Sequence, residues 1–439
     1  MKNSVTFREK LLLLKSFIRT RWFLKFSSAE KLRKYQNHKI QNYLNSQVSE
    51  FEFYRSFPKD LSSFPVMEKE EMLRNFHRLN RFGIKLEDAE RTALQAEQSR
   101  DFSPTINGIT VGLSSGTSGR RGVFLASSDE RFSWAGIILA KVLSSDSLLR
   151  VLNPFASPLR IAFFLRANSS LYTTVKSRRI QFEYFDMTKS LIHHVIRLLN
   201  WRPHILIAPS SLLSELAENY KEKFSALHFD QVISVAEVLD EHTKQKLEKV
   251  FRTKIDQIYQ CTEGFLGNTC SYGSIHLNEE FVFFEKEWID EERFYPIITD
   301  FTRNTQGFIR FRLNDILKIK KEPCPCGNPA ERIRSIEGRS DEILYFTELE
   351  TRELYPVFPD TVRQIMYTVS EKLQDYRIIQ KADTLIFFLK TENEEDISSK
   401  IISAFSALSL DMNLRKPAFR FEKWFPQPPE EKKKRIRRI

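Results

Sequence analysis

Ser114-Ser115-Gly116-Thr117-Ser118-Gly119-Arg120-Arg121-Gly122 follows directly on an apolar run, residues 110–113, that reads as a strand. Its three glycines permit backbone conformations closed to other residues. Successive amides in such a loop can form a concave nest for a polyanion. The hydroxyls of Ser114, Ser115, Thr117 and Ser118 add donors, and Arg120 and Arg121 add positive charge. That chemistry suits a triphosphate. The spacing is neither G-x-x-x-x-G-K-[ST] nor G-x-G-x-x-G. A serine-rich surface loop would have the same composition, so the segment must be read with its neighbours.

Apolar runs at 110–113, 161–165, 205–208, 232–236 and 255–259 alternate with helical patterns. Alternation of this kind predicts α/β units with a largely parallel sheet. Residues 281–284 and 309–317 read instead as antiparallel strands. Upstream, 6–50 carries helical periodicity without Gly or Pro, followed by a turn-rich junction at 58–65 and a helix through Glu68-Lys69-Glu70-Glu71. Beyond Gly338 lie about a hundred residues with their own strand (385–389) and helix (397–408), enough for a small domain. The expectation is an α/β fold. A large N-terminal domain, 1–337, has mixed, largely parallel sheets and a mostly helical lead-in at 1–75. A small α+β C-terminal domain, 338–439, follows.

Four further segments carry chemistry. Val232-Ile233-Ser234-Val235-Ala236-Glu237 is a strand ending in a small residue and an acid. Tyr259-Gln260-Cys261-Thr262-Glu263-Gly264 offers an aromatic that can stack on a base, a hydroxyl for a phosphate and a carboxylate for Mg²⁺. Arg310-Phe311-Arg312-Leu313-Asn314-Asp315 places two arginines and an acid at the end of an apolar run. Ile336-Glu337-Gly338-Arg339-Ser340-Asp341 falls at the expected domain junction.

From Ser114 to the C-terminus this ordered set resembles the motifs of the acyl-adenylate-forming superfamily. The likeness is strongest to its phenylacetate–CoA ligase branch, with the signature S-S-G-T-[ST]-G. The resemblance implies ATP-dependent conversion of a carboxylic acid to its acyl-adenylate with pyrophosphate release. Transfer to coenzyme A or a carrier-protein thiol would follow. It assigns ATP to Ser114, Ser115, Gly116, Thr117, Ser118, Gly119, Ala236, Glu237, Tyr259, Asp315 and Arg339, with catalytic roles for Thr262, Glu263, Asp341 and Lys432. Glu263 would hold Mg²⁺, and Asp341 would be the hinge of the small domain. Lys432 comes from matching E-G-K-x-x-R-V to Glu430-Glu431-Lys432-Lys433-Lys434-Arg435-Ile436. There Glu431 replaces a Gly, and Lys433 or Lys434 serves if the register slips. A cation is wanted there because attack on the α-phosphate gathers negative charge.

Cys270, His276, Cys324 and Cys326 supply four soft ligands from two segments, a set that suits one closed, structural zinc. The resemblance strengthens that reading, since many relatives carry the same set; separate thiols and a surface His are the alternative. Four cysteines in 439 residues are too few for a disulfide scaffold. Charges interrupt every apolar run near the N-terminus, so neither a signal peptide nor a spanning helix fits, and a cytoplasmic location is expected. An amphipathic basic helix there could pack on the main domain or touch a membrane surface.

The net charge of +11 suits acidic small molecules, an acidic partner, a membrane surface or nucleic acid. No aromatic-interleaved basic patch supports nucleic acid. The stretch after Asp341 has no Gly through Thr351, where the resemblance implies a Gly-containing turn beside a pantetheine. The acceptor therefore stays open, and a nucleotide-binding homologue without catalysis is the alternative. The 37 Phe residues make large apolar pockets easy to build. Phe155, Phe163, Phe164, Leu165, Tyr172, Phe182, Tyr184 and Phe185 could line an acyl pocket or the core, with Arg166 meeting a second polar group. An aromatic or medium-chain acid is expected.

Overall fold

Helix α1, Phe7–Ile18, begins at a capping box: the Thr6 hydroxyl accepts from the Glu9 amide, and the Glu9 carboxylate accepts from the Thr6 amide. The protein is described by a computed structural model that covers residues 5–114, 121–165, 176–369, 373–427 and 434–439. α1 lies on the helix Ser128–Val142, and Gly136 makes that approach possible. A Cβ at 136 would collide with the Leu13 carbonyl oxygen.

The strands β1 (Thr105–Ile106), β2 (Ile109–Leu113) and β3 (Val123–Ala126) form a small antiparallel sheet with β2 in the middle. Residues 110–113 thus lie outside the parallel sheet they were expected to join. β3 pairs antiparallel with β2 on the edge away from β1. The Ser114 amide donates to the Gly122 carbonyl at 2.7 Å and closes the base of the glycine-rich loop.

The parallel sheet comprises β4 (Leu159–Leu165), β5 (Ile180–Asp186), β6 (Ile205–Ala208), β7 (Gln231–Ser234) and β8 (Ile255–Cys261), in the order β8-β7-β6-β4-β5. Its crossovers carry the helices Leu191–Trp201, Ser210–Asn219 and Glu241–Phe251. On one face Phe164, Phe185, Leu206 and Val232 pack with Val195, Leu198, Leu213 and Phe251. On the other, Ile161, Phe163, Ile205 and Ile233 meet Leu139 and Leu143. Burial on both faces is why these strands read as continuous apolar runs.

After β8 the chain turns antiparallel into β9 (Gly264–Thr269) and β10 (Ile275–Leu277). The hairpin β11 (Val282–Trp288) and β12 (Arg293–Asp300) follows. Then come β13 (Phe311–Arg312) on β12, β14 (Asp315–Ile319), and β15 (Arg332–Arg339), whose start pairs with β10.

The chain divides into two compact units, Met1–Leu313 with Ile319–Ser335, and Asn314–Lys318 with Ile336–Ile439. The division runs through β14 and β15. Asp315, assigned to the large domain from its place in the chain, groups with the second unit. That unit contains the hairpin β16 (Leu344–Thr347) and β17 (Leu354–Val357) and the helix Pro359–Val369. It also contains β18 (Asp375–Lys381), β19 (Thr384–Lys390), the helix Glu394–Asp411, β20 (Ala418–Glu422) and β21 (Ile436–Arg438). Its sheet runs β20-β19-β18-β21 around Ile378, Phe387, Ile401 and Phe405.

Candidate active site and metal centre

In the first unit, Ala236, Tyr259, Thr262 and Glu263 follow or end β7 and β8 at the C-terminal edge of the parallel sheet. Open α/β sheets bind their ligands at this edge. Ser234, the last residue of β7, lies opposite Gln257 in the β7–β8 register, so Ala236 and Tyr259 each follow that pair by two residues in the chain. Ala236 has φ +66°, a left-handed conformation uncommon for any residue with a Cβ. Tyr259 is buried. The Glu237 carboxylate accepts from the Ser211 amide at 3.0 Å, at the start of the helix Ser210–Asn219. Glu237 therefore caps that helix as well as following the small residue.

Thr262 and Glu263 form the two-residue turn between β8 and β9, where Cys261 pairs with Gly264. Arg303 Nη2 donates to the Thr262 carbonyl at 2.6 Å. The Arg303 guanidinium is buried, with its centre 4.0 Å from the Trp134 ring and 5.0 Å from Phe308, and Asp300 lies 3.7 Å away. Burial pushes the Asp300 carboxyl up, against the pull of Arg303. The buried Glu130 accepts from the amides of Asn304 (2.5 Å) and Thr305 (2.8 Å), and so fixes the turn carrying Arg303. Sequence reasoning missed Asp300, Arg303 and Glu130. Their only signal was an acid and an arginine three apart outside any helical pattern.

Glu263 is nearly buried, and its carboxylate has no ion-pair partner among the described residues. A buried anion in that condition suits a divalent cation. Ser114 uses its hydroxyl to accept from the Gly122 amide at 2.6 Å. Ser115, Gly116, Thr117, Ser118 and Gly119 lie outside the described residues, as do Arg166, Tyr172 and Lys432.

In the second unit, the buried Asp315 accepts from Arg339 Nε at 3.2 Å. Asp341 accepts from Lys434 Nζ at 2.6 Å. Of the aromatics considered for an acyl pocket, Phe164 and Phe185 stack at 4.7 Å inside the core, and Phe155 is exposed to solvent. Those three do not line a pocket; strand alternation sends Phe163 and Phe182 to the opposite face.

Cys270, His276, Cys324 and Cys326 converge, with all their ligand atoms within 4.8 Å of one another. The Gly273 amide donates to the Cys270 carbonyl and the Gly327 amide to that of Cys324, closing two tight turns. Gly273 (φ +77°) and Gly327 (φ +73°) supply the left-handed residues that these turns require. The sulfurs of Cys270 and Cys324 are 3.7 Å apart, and Cys326 Sγ lies 3.4 Å from His276 Nε2. Tetrahedral zinc with Zn–S of about 2.3 Å and Zn–N of about 2.0 Å sets edges of roughly 3.8 and 3.5 Å. His276 Nδ1 lies 2.9 Å from the Ala330 carbonyl, which orients the ring with Nε2 toward the thiols. The set fits the ion. Burial opposes ionisation of Cys324, yet the hydrogen bonds from the Cys326 amide and His276 bring its thiol down to about 6.

No protein-family model matches the chain. Its fold is similar to that of 2-hydroxyisobutyryl-CoA ligase in complex with 2-HIB-AMP, with a TM-score of 0.64 at 15% identity over 94% of this chain and 90% of that one. The same ligase in complex with R3-HIB-AMP gives 0.63 at 13% identity, covering 96% of this chain and 91% of that one. At these identities the likeness is one of fold. In sequence, the chain is similar to the phenylacetate-coenzyme A ligase of Thermus thermophilus, 22% identical over 207 residues. That match spans 43% of this chain and 44% of the relative, less than half of its length.

Proposed function

We propose that this protein uses ATP to activate a carboxylic acid as its acyl-adenylate, releasing pyrophosphate, and passes the acyl group to coenzyme A or a carrier-protein thiol. The observation that carries the reading is the grouping of Ala236, Tyr259, Thr262 and Glu263 at the C-terminal edge of β7 and β8, in this fold. In this reading backbone around Ala236 and the ring of Tyr259 bound the adenine. The Thr262 hydroxyl donates to the α-phosphate. Asp315, which also accepts from Arg339, takes the ribose hydroxyls. The loop beginning at Ser114 wraps the phosphates, and Lys432 meets the charge that gathers as the acid attacks. Mg²⁺ held by Glu263 would neutralise phosphate oxygens.

The zinc fit supports one structural zinc on Cys270, His276, Cys324 and Cys326. The acid is aromatic or of medium chain length. The location is cytoplasmic, in keeping with four cysteines outside any disulfide. Among the described residues no helix is long and apolar enough to cross a membrane. ATP–pyrophosphate exchange across a panel of carboxylic acids tests the proposal. Exchange with at least one acid is expected; nucleotide binding without exchange for any acid would leave a noncatalytic homologue.

A further inference from the structure

α1 is apolar on two sides. Leu13, Ser16 and Phe17 face the helix Ser128–Val142, where the Gly136 position touches all three. Phe7, Leu11, Leu14 and Ile18 recur at intervals of four, three and four, which places them on one stripe of a helix. That stripe points outward. Phe7 is 82% exposed, Leu11 53% and Leu14 51%. Helical backbone continues through Arg19–Phe23, adding Trp22 at 53% and Phe23 at 74%. A run of six large exposed apolar side chains on one segment exceeds the scattered exposure of ordinary surfaces.

Charge decides what could cover it. Lys10, Lys15, Arg19 and Lys25 are all exposed along the same segment. Glu9, the sole acid between residues 7 and 25, turns back to Thr6 and Ser128, and Asp129 on the neighbouring helix is taken by Arg8. The outward side therefore combines an apolar stripe with Lys10 and Lys15, which have no acidic partner among the described residues, while Arg19 donates to the Tyr35 hydroxyl. Two copies laid stripe to stripe would set these cations against each other. An anionic lipid surface complements both features: the stripe enters the acyl boundary, the lysines meet headgroup phosphates, and Trp22 sits at the interface.

We infer that α1 and its continuation through Phe23 are a peripheral docking surface for anionic membrane. This is independent of the adenylation reading. The test is co-sedimentation of the full chain with vesicles of phosphatidylcholine, with and without phosphatidylglycerol, at low and high salt. The protein is expected to sediment with phosphatidylglycerol vesicles and to stay in solution with phosphatidylcholine alone or at high salt. Lys10→Gln and Lys15→Gln should each weaken binding about fivefold. Leu11→Asp with Leu14→Asp should abolish it while leaving the melting temperature and the oligomeric state unchanged, since neither side chain is buried. Absence of binding to anionic vesicles would overturn the inference, as would unaltered binding by the Leu11→Asp, Leu14→Asp protein. Light scattering that reveals a dimer dissolved by the same pair would assign the face to self-association instead.

Discussion

The guanidinium of Arg303 holds the backbone carbonyl of Thr262 at 2.6 Å from beneath the β8–β9 turn. A buried cation is thereby spent on orienting a peptide rather than on a surface contact. It is sandwiched by Trp134 and Phe308 and neutralised by Asp300, so its position is fixed on three sides. The peptide it holds is the one that presents Thr262 and Glu263.

Arg303→Lys keeps the charge but loses the planar fork that reaches both Asp300 and the carbonyl. ATP–pyrophosphate exchange is expected to fall more than tenfold in kcat, with a smaller change in KM for ATP. Arg303→Leu should in addition destabilise the fold by about 3 kcal/mol or more, because Asp300 is left buried without its cation. Urea denaturation of the two variants beside wild type measures the second effect. Exchange at the wild-type rate in Arg303→Lys would show that the turn keeps its shape unaided.

Cys324→Ser removes one of four ligands that converge with tetrahedral spacing. Wild-type protein purified without a histidine tag is expected to carry one zinc per chain by elemental analysis, and the variant less than a tenth of that. Chelation of the wild type should lower its melting temperature, since binding at a closed site contributes to folding. A zinc-free protein with an unchanged melting curve would refute the site.

Lys432→Ala is expected to slow pyrophosphate exchange by about a hundredfold or more while leaving ATP binding nearly intact, the loss typical of a group that meets transition-state charge. Lys434→Ala should slow it less than tenfold, because Lys434 is engaged with Asp341 at 2.6 Å. Reversal of the two effects would move the catalytic register by two residues.

His204 lies at the start of β6, and its Nδ1 accepts from the Arg160 amide at 3.0 Å. Burial, aided by the charges of Arg150 and Arg160, pulls the imidazole down to about 4. An unfolded histidine titrates near 6.5, so between about pH 6.5 and 4 the unfolded chain binds the proton first. Stability contributed by neutral His204 is therefore lost as pH falls through that window and levels off below it. His204→Asn, whose side-chain oxygen replaces Nδ1 as acceptor, is expected to flatten this part of the curve of melting temperature against pH. Superimposable curves for the two proteins would remove His204 as the cause.

The fold class was legible because buried parallel strands such as 161–165 and 205–208 must be apolar on both faces, which leaves continuous runs in the sequence. The segments ending in Ala236 and Glu263 were picked out by resemblance, and the fold brings both to the ends of neighbouring parallel strands. Cys270, His276, Cys324 and Cys326 were equally visible, since few residue types bind zinc.

The tertiary structure alone decided the rest. It alone assigned residues 110–113 to an antiparallel sheet, because strand partners are set by how the chain turns rather than by composition. It grouped Asp315 with the second unit, although 314–318 is flanked in the chain by residues of the first. It also drew Arg303, Asp300 and Glu130 under the Thr262 turn. A buried ion pair gains its role from neighbours far along the chain, and no local pattern records which carbonyl a guanidinium will reach.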